Sequence, residues 1–154
     1  MTRAYGRAAR GERVNQSVPR NHGKGMTLIG SLGLRGLPAP LSLEGAVDTA
    51  AFDSYVQQML VSQLRPSDIV LLDNLPVHLS SQVEAAVAAV EAEALWLPAY
   101  SPDFSPIEEC WSKVKTLVRG REPRTPKELN AALGDALKAV TLDDIDGWFR
   151  HCGY

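Results

Sequence analysis

The sequence predicts a mixed α/β sheet with helices packed against it. Three observations carry that expectation. Short strand-like runs alternate with segments whose apolar residues recur at helical spacing. One run, Ile69-Val70-Leu71-Leu72, is apolar throughout, as a strand buried on both faces must be. It ends on a charged residue, Asp73, where open α/β sheets place their ligand chemistry.

Residues 1–24 read as an irregular basic arm, because Gly6, Gly11, Pro19 and Gly23 interrupt a set of arginines without apolar periodicity. Residues 26–32 and 41–47 read as two strands, separated by the turn-forming stretch from Gly33 to Pro40. Asp48 is placed to cap a helix whose Phe52, Tyr55, Val56, Met59 and Leu60 share one face, and Pro66 ends it. After the Ile69 strand, Ser81 and Glu84 have capping-box spacing for a helix with Val83, Ala86, Val87 and Val90 inward. Residues 94–97 form a further strand. Pro98, Pro102 and Pro106 then stiffen a loop that opens a helix with Ile107, Cys110, Trp111, Val114 and Val118 as its apolar stripe. Thr125-Pro126-Lys127-Glu128 is a second capping box, for a helix burying Leu129, Leu133, Ala136, Leu137 and Val140. A last short helix groups Ile145, Trp148 and Phe149.

A chain of 154 residues is one domain on size, and 45% hydrophobic with 22% charged content is ordinary globular composition. There is no membrane-length apolar stretch and no signal-peptide segment at the start, so no membrane partner is expected. Two cysteines make neither a disulfide framework nor a zinc site, and a reducing cytosol is the natural compartment. The net charge of −2 conceals segregation: residues 1–24 and 113–127 each carry +5, whereas 25–112 carry −9. Basic edges beside an acidic centre suit phosphate at the edges and metal in the middle; two solvated basic surfaces are the plain alternative.

Two carboxylates hold the chemical interest. Asp73 either faces a site or, followed by Asn74-Leu75-Pro76, only starts a turn by accepting from nearby amides. Glu108 either faces a site or closes a capping box with Ser105. Glu108, Ser112, Lys115 and Arg119 follow one face of their helix, a carboxylate at its entrance and cations along its length. Glu109 is spaced instead to pair with Lys113. His78 follows Asp73 closely and is an accessory candidate, against the reading of a surface histidine near a helix start. Tyr100 can stack on nucleic acid, while Asp103 shapes the proline-rich loop and Trp96 and Cys110 belong to the core.

Asp73-Asn74 with His78, the 34 intervening residues to Glu108, and the block Ser101-Pro102-Asp103-Phe104-Ser105-Pro106-Ile107-Glu108 followed by Trp111 together resemble the catalytic half of mariner-type transposases, in particular their bacterial insertion-sequence branch. The Tyr5-to-Arg13 arm, Leu43-Glu44-Gly45 and the closing His151-Cys152-Gly153-Tyr154 extend the resemblance over most of the chain. Ala99 stands where that family usually has proline, and Ser105 where it has asparagine.

The resemblance implies a ribonuclease-H-like mixed sheet flanked by helices and missing its first, central strand, in which 25–154 form a partial catalytic domain behind the 1–24 arm. It implies metal-dependent DNA cleavage and strand transfer, with two magnesium or manganese ions bound by Asp73, Glu108 and a first Asp. Arg3, Arg7, Arg10, Arg13, Arg20, Lys115 and Arg119 would hold DNA, at element ends and target. Asn74, His78 and Tyr100 are accessory candidates. A homo-oligomer or an intact transposase is the implied protein partner, and the bacterial cytoplasm, at the nucleoid, the place of action. In the family the first Asp lies on the first strand, upstream of the arm and behind a helix-turn-helix reader; this sequence opens on the arm, and Asp48 looks like a cap. The chain is therefore expected to be incompetent alone, either as a remnant or as the second half of a frameshifted gene. A non-enzymatic DNA-binding or oligomerising chain that modulates an intact transposase is the competing class. A phosphatase-like hydrolase with Asp73 as nucleophile ranks last, because Asn74-Leu75 supply no second acid.

Overall fold

A computed structural model describes residues 6–15 and 25–154. The first strand, β1 (Met26–Ile29), pairs antiparallel with β2 (Leu41–Glu44), Thr27 opposite Leu43 and Ile29 opposite Leu41. Their connection folds back on itself where Gly33 and Gly36 exchange two backbone hydrogen bonds of 2.9 Å around Leu34-Arg35. Gly36 sits at φ +131°, a conformation that side chains rarely adopt. Asp48 caps α1 (Thr49–Tyr55) by accepting from the Ala51 amide at 2.8 Å, which makes it a cap and removes it as a ligand candidate.

The expected single helix down to Pro66 is present but not uniform. Its α part passes into a π turn (Val56–Leu60) and a 3₁₀ turn (Val61–Gln63). Phe52, Tyr55, Val56 and Leu60 remain buried through these changes. The fully apolar strand β3 (Ile69–Leu72) runs parallel to β4 (Glu93–Trp96), with α2 (Ser81–Ala88) as the crossover. The α2 cap lies one residue earlier than expected: Ser80 accepts from the Gln82 amide, so the Ser81–Glu84 box does not form.

Beyond β4 a 3₁₀ turn (Pro102–Phe104) leads into α3 (Pro106–Arg121). The helices α4 (Pro126–Lys138) and α5 (Leu142–His151) both open on complete capping boxes, Thr125 with Glu128 as expected and Thr141 with Asp144 in addition. Among the described residues no helix is long and apolar enough to cross a membrane.

Two cores lie on opposite sides of the strands. Phe52, Tyr55, Val56 and Leu60 meet Val83 and Val87 of α2, with Ile29 and Leu72 from the strands. Cys110, Val114 and Val118 of α3 meet Ala132 and Ala136 of α4, with Leu28 and Trp111 against them. Leu28 and Ile29 thus serve different cores, as neighbours on a strand covered on both faces must. Parallel and antiparallel pairing both occur, as a mixed sheet requires. They occur as two separate pairs, β1–β2 and β3–β4, with no ladder joining them among the described residues.

Candidate active site

Strand β3 delivers Asp73 to its carboxyl end, beside the tip of β4. There Asn74 is a clasp: its Nδ2 donates to the Leu97 carbonyl at 2.5 Å and ties the two strand ends together. The turn reading of Asp73 is realised in part, since its Oδ1 accepts from the Leu75 amide at 3.2 Å. The same oxygen lies 2.5 Å from His78 Nδ1. Oδ2 has no partner among the described residues, so one carboxylate oxygen is left for chemistry.

His78 is not a loose surface residue. Its side chain is 20% exposed, against 44% for Asp73. Its ring lies against Phe52, with centroids 4.2 Å apart and planes inclined by 32°. The buried helix α1 therefore holds the imidazole, and the imidazole holds Asp73. Imidazole chemistry lets Nδ1 donate to the carboxylate in either the neutral or the protonated ring.

Glu108 stands in the first turn of α3. Ser105 precedes the helix without any side-chain capping bond, so the capping-box explanation of Glu108 does not hold. Its carboxylate has no hydrogen-bond or ion-pair partner among the described residues. The helix N-terminus still favours a negative charge there through its exposed amides. Asp73, His78 and Glu108 all line one cavity of about 910 Å³, which also contacts Ile107 and Trp111 of α3. The tight neighbour of that wall is Gly30, where a Cβ would come within 3.1 Å of Trp111. Asp103 and Asn74 do not line this cavity.

The expected cationic face of α3 is present. Lys115 and Arg119 are exposed and carry no ion pair among the described residues. Other cations of that segment are engaged: Arg121 with Asp135 at 2.5 Å, and Lys113 with Asp144. This last pair corrects the expected Glu109–Lys113 bridge, because Asp144 at the start of α5 takes the lysine. Lys113, with Thr141 behind it, holds the Asp144 carboxyl down to about 2. Arg7, Arg10 and Arg13 are exposed, while Arg3 and Arg20 lie outside the described residues. Tyr100 is fully exposed, at a positive φ of 57° on the loop before α3. Cys110 is sealed in the core, and burial pushes its thiol up to about 11, so it is no nucleophile.

The donor set suits a hard divalent cation, which takes oxygen ligands and keeps open positions for water and phosphate. Asp73 Oδ2 and the Glu108 carboxylate could supply such ligands from two elements lining one cavity. Among the described residues no group of three His, Cys, Asp or Glu side chains converges, so these two are a partial set. Asp53 is buried on α1, and its Oδ1 has no partner among the described residues, yet it lies outside the cavity. Only its position between Phe52 and Tyr55 on an apolar face marks it in the sequence.

Residues 1–130 match the family of DDE superfamily endonucleases. The fold is similar to solved structures of the Mos1 strand transfer complex (TM-score 0.72, 19% identity) and of the Mos1 transposase paired-end complex with left transposon end (0.70, 18%). A third is the Mos1 mariner paired end complex with Mn (0.67, 20%). These alignments cover 96–98% of this chain but 46% of each Mos1 chain, so the chain spans about half the length of the proteins it resembles. No curated protein matches. The architecture is thus the ribonuclease-H-like one expected from the sequence.

Proposed function

Because the chain belongs to the DDE superfamily endonucleases, we propose that it is part of a DNA transposase catalytic domain, incomplete by itself, for cleavage and strand transfer of phosphodiester bonds. One observation carries the reading: two carboxylates with unengaged oxygens, Asp73 on a strand end and Glu108 on a helix start, open onto the same cavity. Asp73 and Glu108 would hold magnesium or manganese, two ions in the complete site together with a further acid. When bound, such ions polarise a phosphoryl oxygen and favour the deprotonated form of an attacking hydroxyl.

The chain's own residues position and bind. His78 fixes the carboxylate plane of Asp73 and leaves Oδ2 pointing to ligand. Asn74 keeps the two strand ends, and hence Asp73, in register. Lys115 and Arg119 continue from Glu108 along α3 and grip successive phosphates, and Arg7, Arg10 and Arg13, with Arg3 and Arg20, add a second contact. Tyr100 stacks on a base or sugar at the loop. In the reaction an oxygen nucleophile would form a new P–O bond as the P–O3′ bond breaks, the nucleophile's proton passing to water and the departing O3′ taking one proton from water to leave as a hydroxyl. Element ends and target DNA are the substrates, a second transposase subunit the protein partner, and the cytoplasm, at the nucleoid, the place of action.

The test is manganese calorimetry on the purified chain. Binding in the parent that is lost in both Asp73→Asn and Glu108→Gln supports a shared site; absence of binding in the parent sinks it. The alternative, a DNA-binding chain without catalysis that modulates an intact transposase, is not favoured by the match to an endonuclease family. The five described free cations would then give a salt slope of up to about −4.5 for duplex DNA, with no cleavage in manganese.

A further inference from the structure

The segment His151-Cys152-Gly153-Tyr154 lies outside the cavity, yet its tyrosine reaches the edge of the site. The Tyr154 hydroxyl donates to the Phe104 carbonyl at 2.9 Å. Phe104 ends the 3₁₀ turn that leads into α3, whose first turn carries Glu108. The tether therefore falls on the entrance of the helix that presents this carboxylate.

That entrance lacks its expected local fastening. Ser105 makes no side-chain capping bond. The backbone closes there through Ser105 N–H to the Pro102 carbonyl at 2.9 Å and Glu108 N–H to the Ser105 carbonyl at 3.0 Å. Bonds of this kind set the shape of the entrance but not its place against the rest of the fold. Placement comes from α5. At its start Asp144 pairs with Lys113 of α3, and further along Trp148 packs against the core that holds Cys110 and Val114. Phe149 lines the same cavity as Pro106, Ile107 and Glu108. At its end the thiol of Cys152 is pushed up by burial first and then by the carboxylates of Glu109 and Asp103, one on each side of the α3 entrance.

The turn after α5 holds the tyrosine ready. Gly153 N–H donates to the Arg150 carbonyl at 3.2 Å and Tyr154 N–H to the Phe149 carbonyl at 3.0 Å, the bond pattern of a glycine-ended helix cap. Gly153 sits at φ +90°, where a side chain would be strained, and this reversal sends Tyr154 back toward α3. The Tyr154 ring meets Phe149 edge-on, with centroids 6.0 Å apart and planes inclined by 62°. A fixed backbone and a fixed ring thus present the hydroxyl to Phe104, although half of the side chain is exposed.

We propose that Tyr154 is a positioning residue for Glu108: by tethering the Phe104 carbonyl to the capped end of α5, it fixes where α3 begins and so where the Glu108 carboxylate meets the cavity. The proposal rests on the reading of Glu108 as a metal ligand, and adds that the ligand's place is set from α5 rather than by its own loop. Tyr154 itself touches no reacting atom.

The test pairs two measurements on the full chain and on Tyr154→Phe, which keeps the ring on Phe149 and deletes only the donor. In amide hydrogen exchange without metal, the Ser105 and Glu108 amides should exchange roughly fivefold faster in the variant, the weight of one net hydrogen bond, while Val114 and Val118 stay unchanged. In manganese calorimetry the affinity should fall by a similar factor of about five. Val118→Ala is the control: it loosens the core between α3 and α4 and should lower the urea midpoint without weakening manganese. Equal exchange at Ser105 and Glu108 in parent and variant would overturn the proposal, because the entrance would not depend on the tether. Faster exchange with unchanged manganese affinity would overturn it too, leaving Tyr154 a role in stability alone. So would a Val118→Ala chain that loses manganese as Tyr154→Phe does, since any loosening of α3 would then suffice. A parent that binds no manganese, or a Glu108→Gln chain that binds it as well as the parent, would remove the ligand and the role with it. That failure shows without any change at Tyr154, which sets it apart from the other three.

Discussion

The clasp of Phe52, His78 and Asp73 makes a quantitative demand on the fold. His78→Ala removes a ring packed 4.2 Å from Phe52 and a hydrogen bond of 2.5 Å to Asp73. The ring pair is worth about 0.5–1.5 kcal/mol beyond buried area. A hydrogen bond to a charged group is worth more when buried, but Asp73 is 44% exposed, so solvent reduces it to roughly 1 kcal/mol. The variant should therefore lose about 2 kcal/mol, which moves a urea midpoint by roughly 1 M at a slope near 2 kcal/mol per M. Phe52 is 5% exposed, and Phe52→Leu keeps most of its apolar volume while removing the aromatic face. A double-mutant cycle in urea should return a coupling of about 1 kcal/mol between the two positions. If manganese binds at Asp73, His78→Ala should also weaken it by about 10–100-fold, since the carboxylate loses the group that orients it. Additivity of Phe52→Leu and His78→Ala within about 0.3 kcal/mol would refute the clasp.

Other expectations come from the cores and caps. Val118 is fully buried between α3 and α4, so Val118→Ala should cost about 2–3 kcal/mol in the same urea assay, while Leu117→Ala on the outer face should cost under about 1. Thr125→Ala removes the α4 cap and should cost about 1 kcal/mol, with Thr125→Ser recovering most of it. The folded state holds Asp144 at about 2 against an ordinary 3.8; its contribution is complete above the unfolded value and fades as pH falls from about 4 through 2. Asp144→Asn should flatten the acid limb of a stability–pH curve over that window, and an unchanged limb would contradict the Lys113–Asp144 assignment. Cys110 and Cys152 are both buried, with thiols pushed up by burial, so a thiol reagent at neutral pH should label neither until the chain is unfolded in urea.

What the sequence made legible follows from how local the signals are. The capping box at Thr125 and the cap at Asp48 were readable because each is decided within four residues, and both formed. The α2 cap was misplaced by one residue because Ser80 and Ser81 are adjacent and either can cap. Lys113 was assigned to Glu109 by helical spacing, but its partner Asp144 comes from another helix, which spacing cannot report. The same divide runs through the site. Asp73 and Glu108 stand out in the sequence because one terminates a strand and the other opens a helix, positions that sequence marks. That His78 is held by Phe52, from a helix more than twenty residues earlier, was not visible, and it changes the reading of both residues.

The four strand-like runs were expected in a sheet lacking its first strand, and they form two separate pairs; the pattern of each run locates a strand but not its neighbours. Residues of β1 from one pair and of β3 from the other line one cavity, and Asp73 lies at the end of β3.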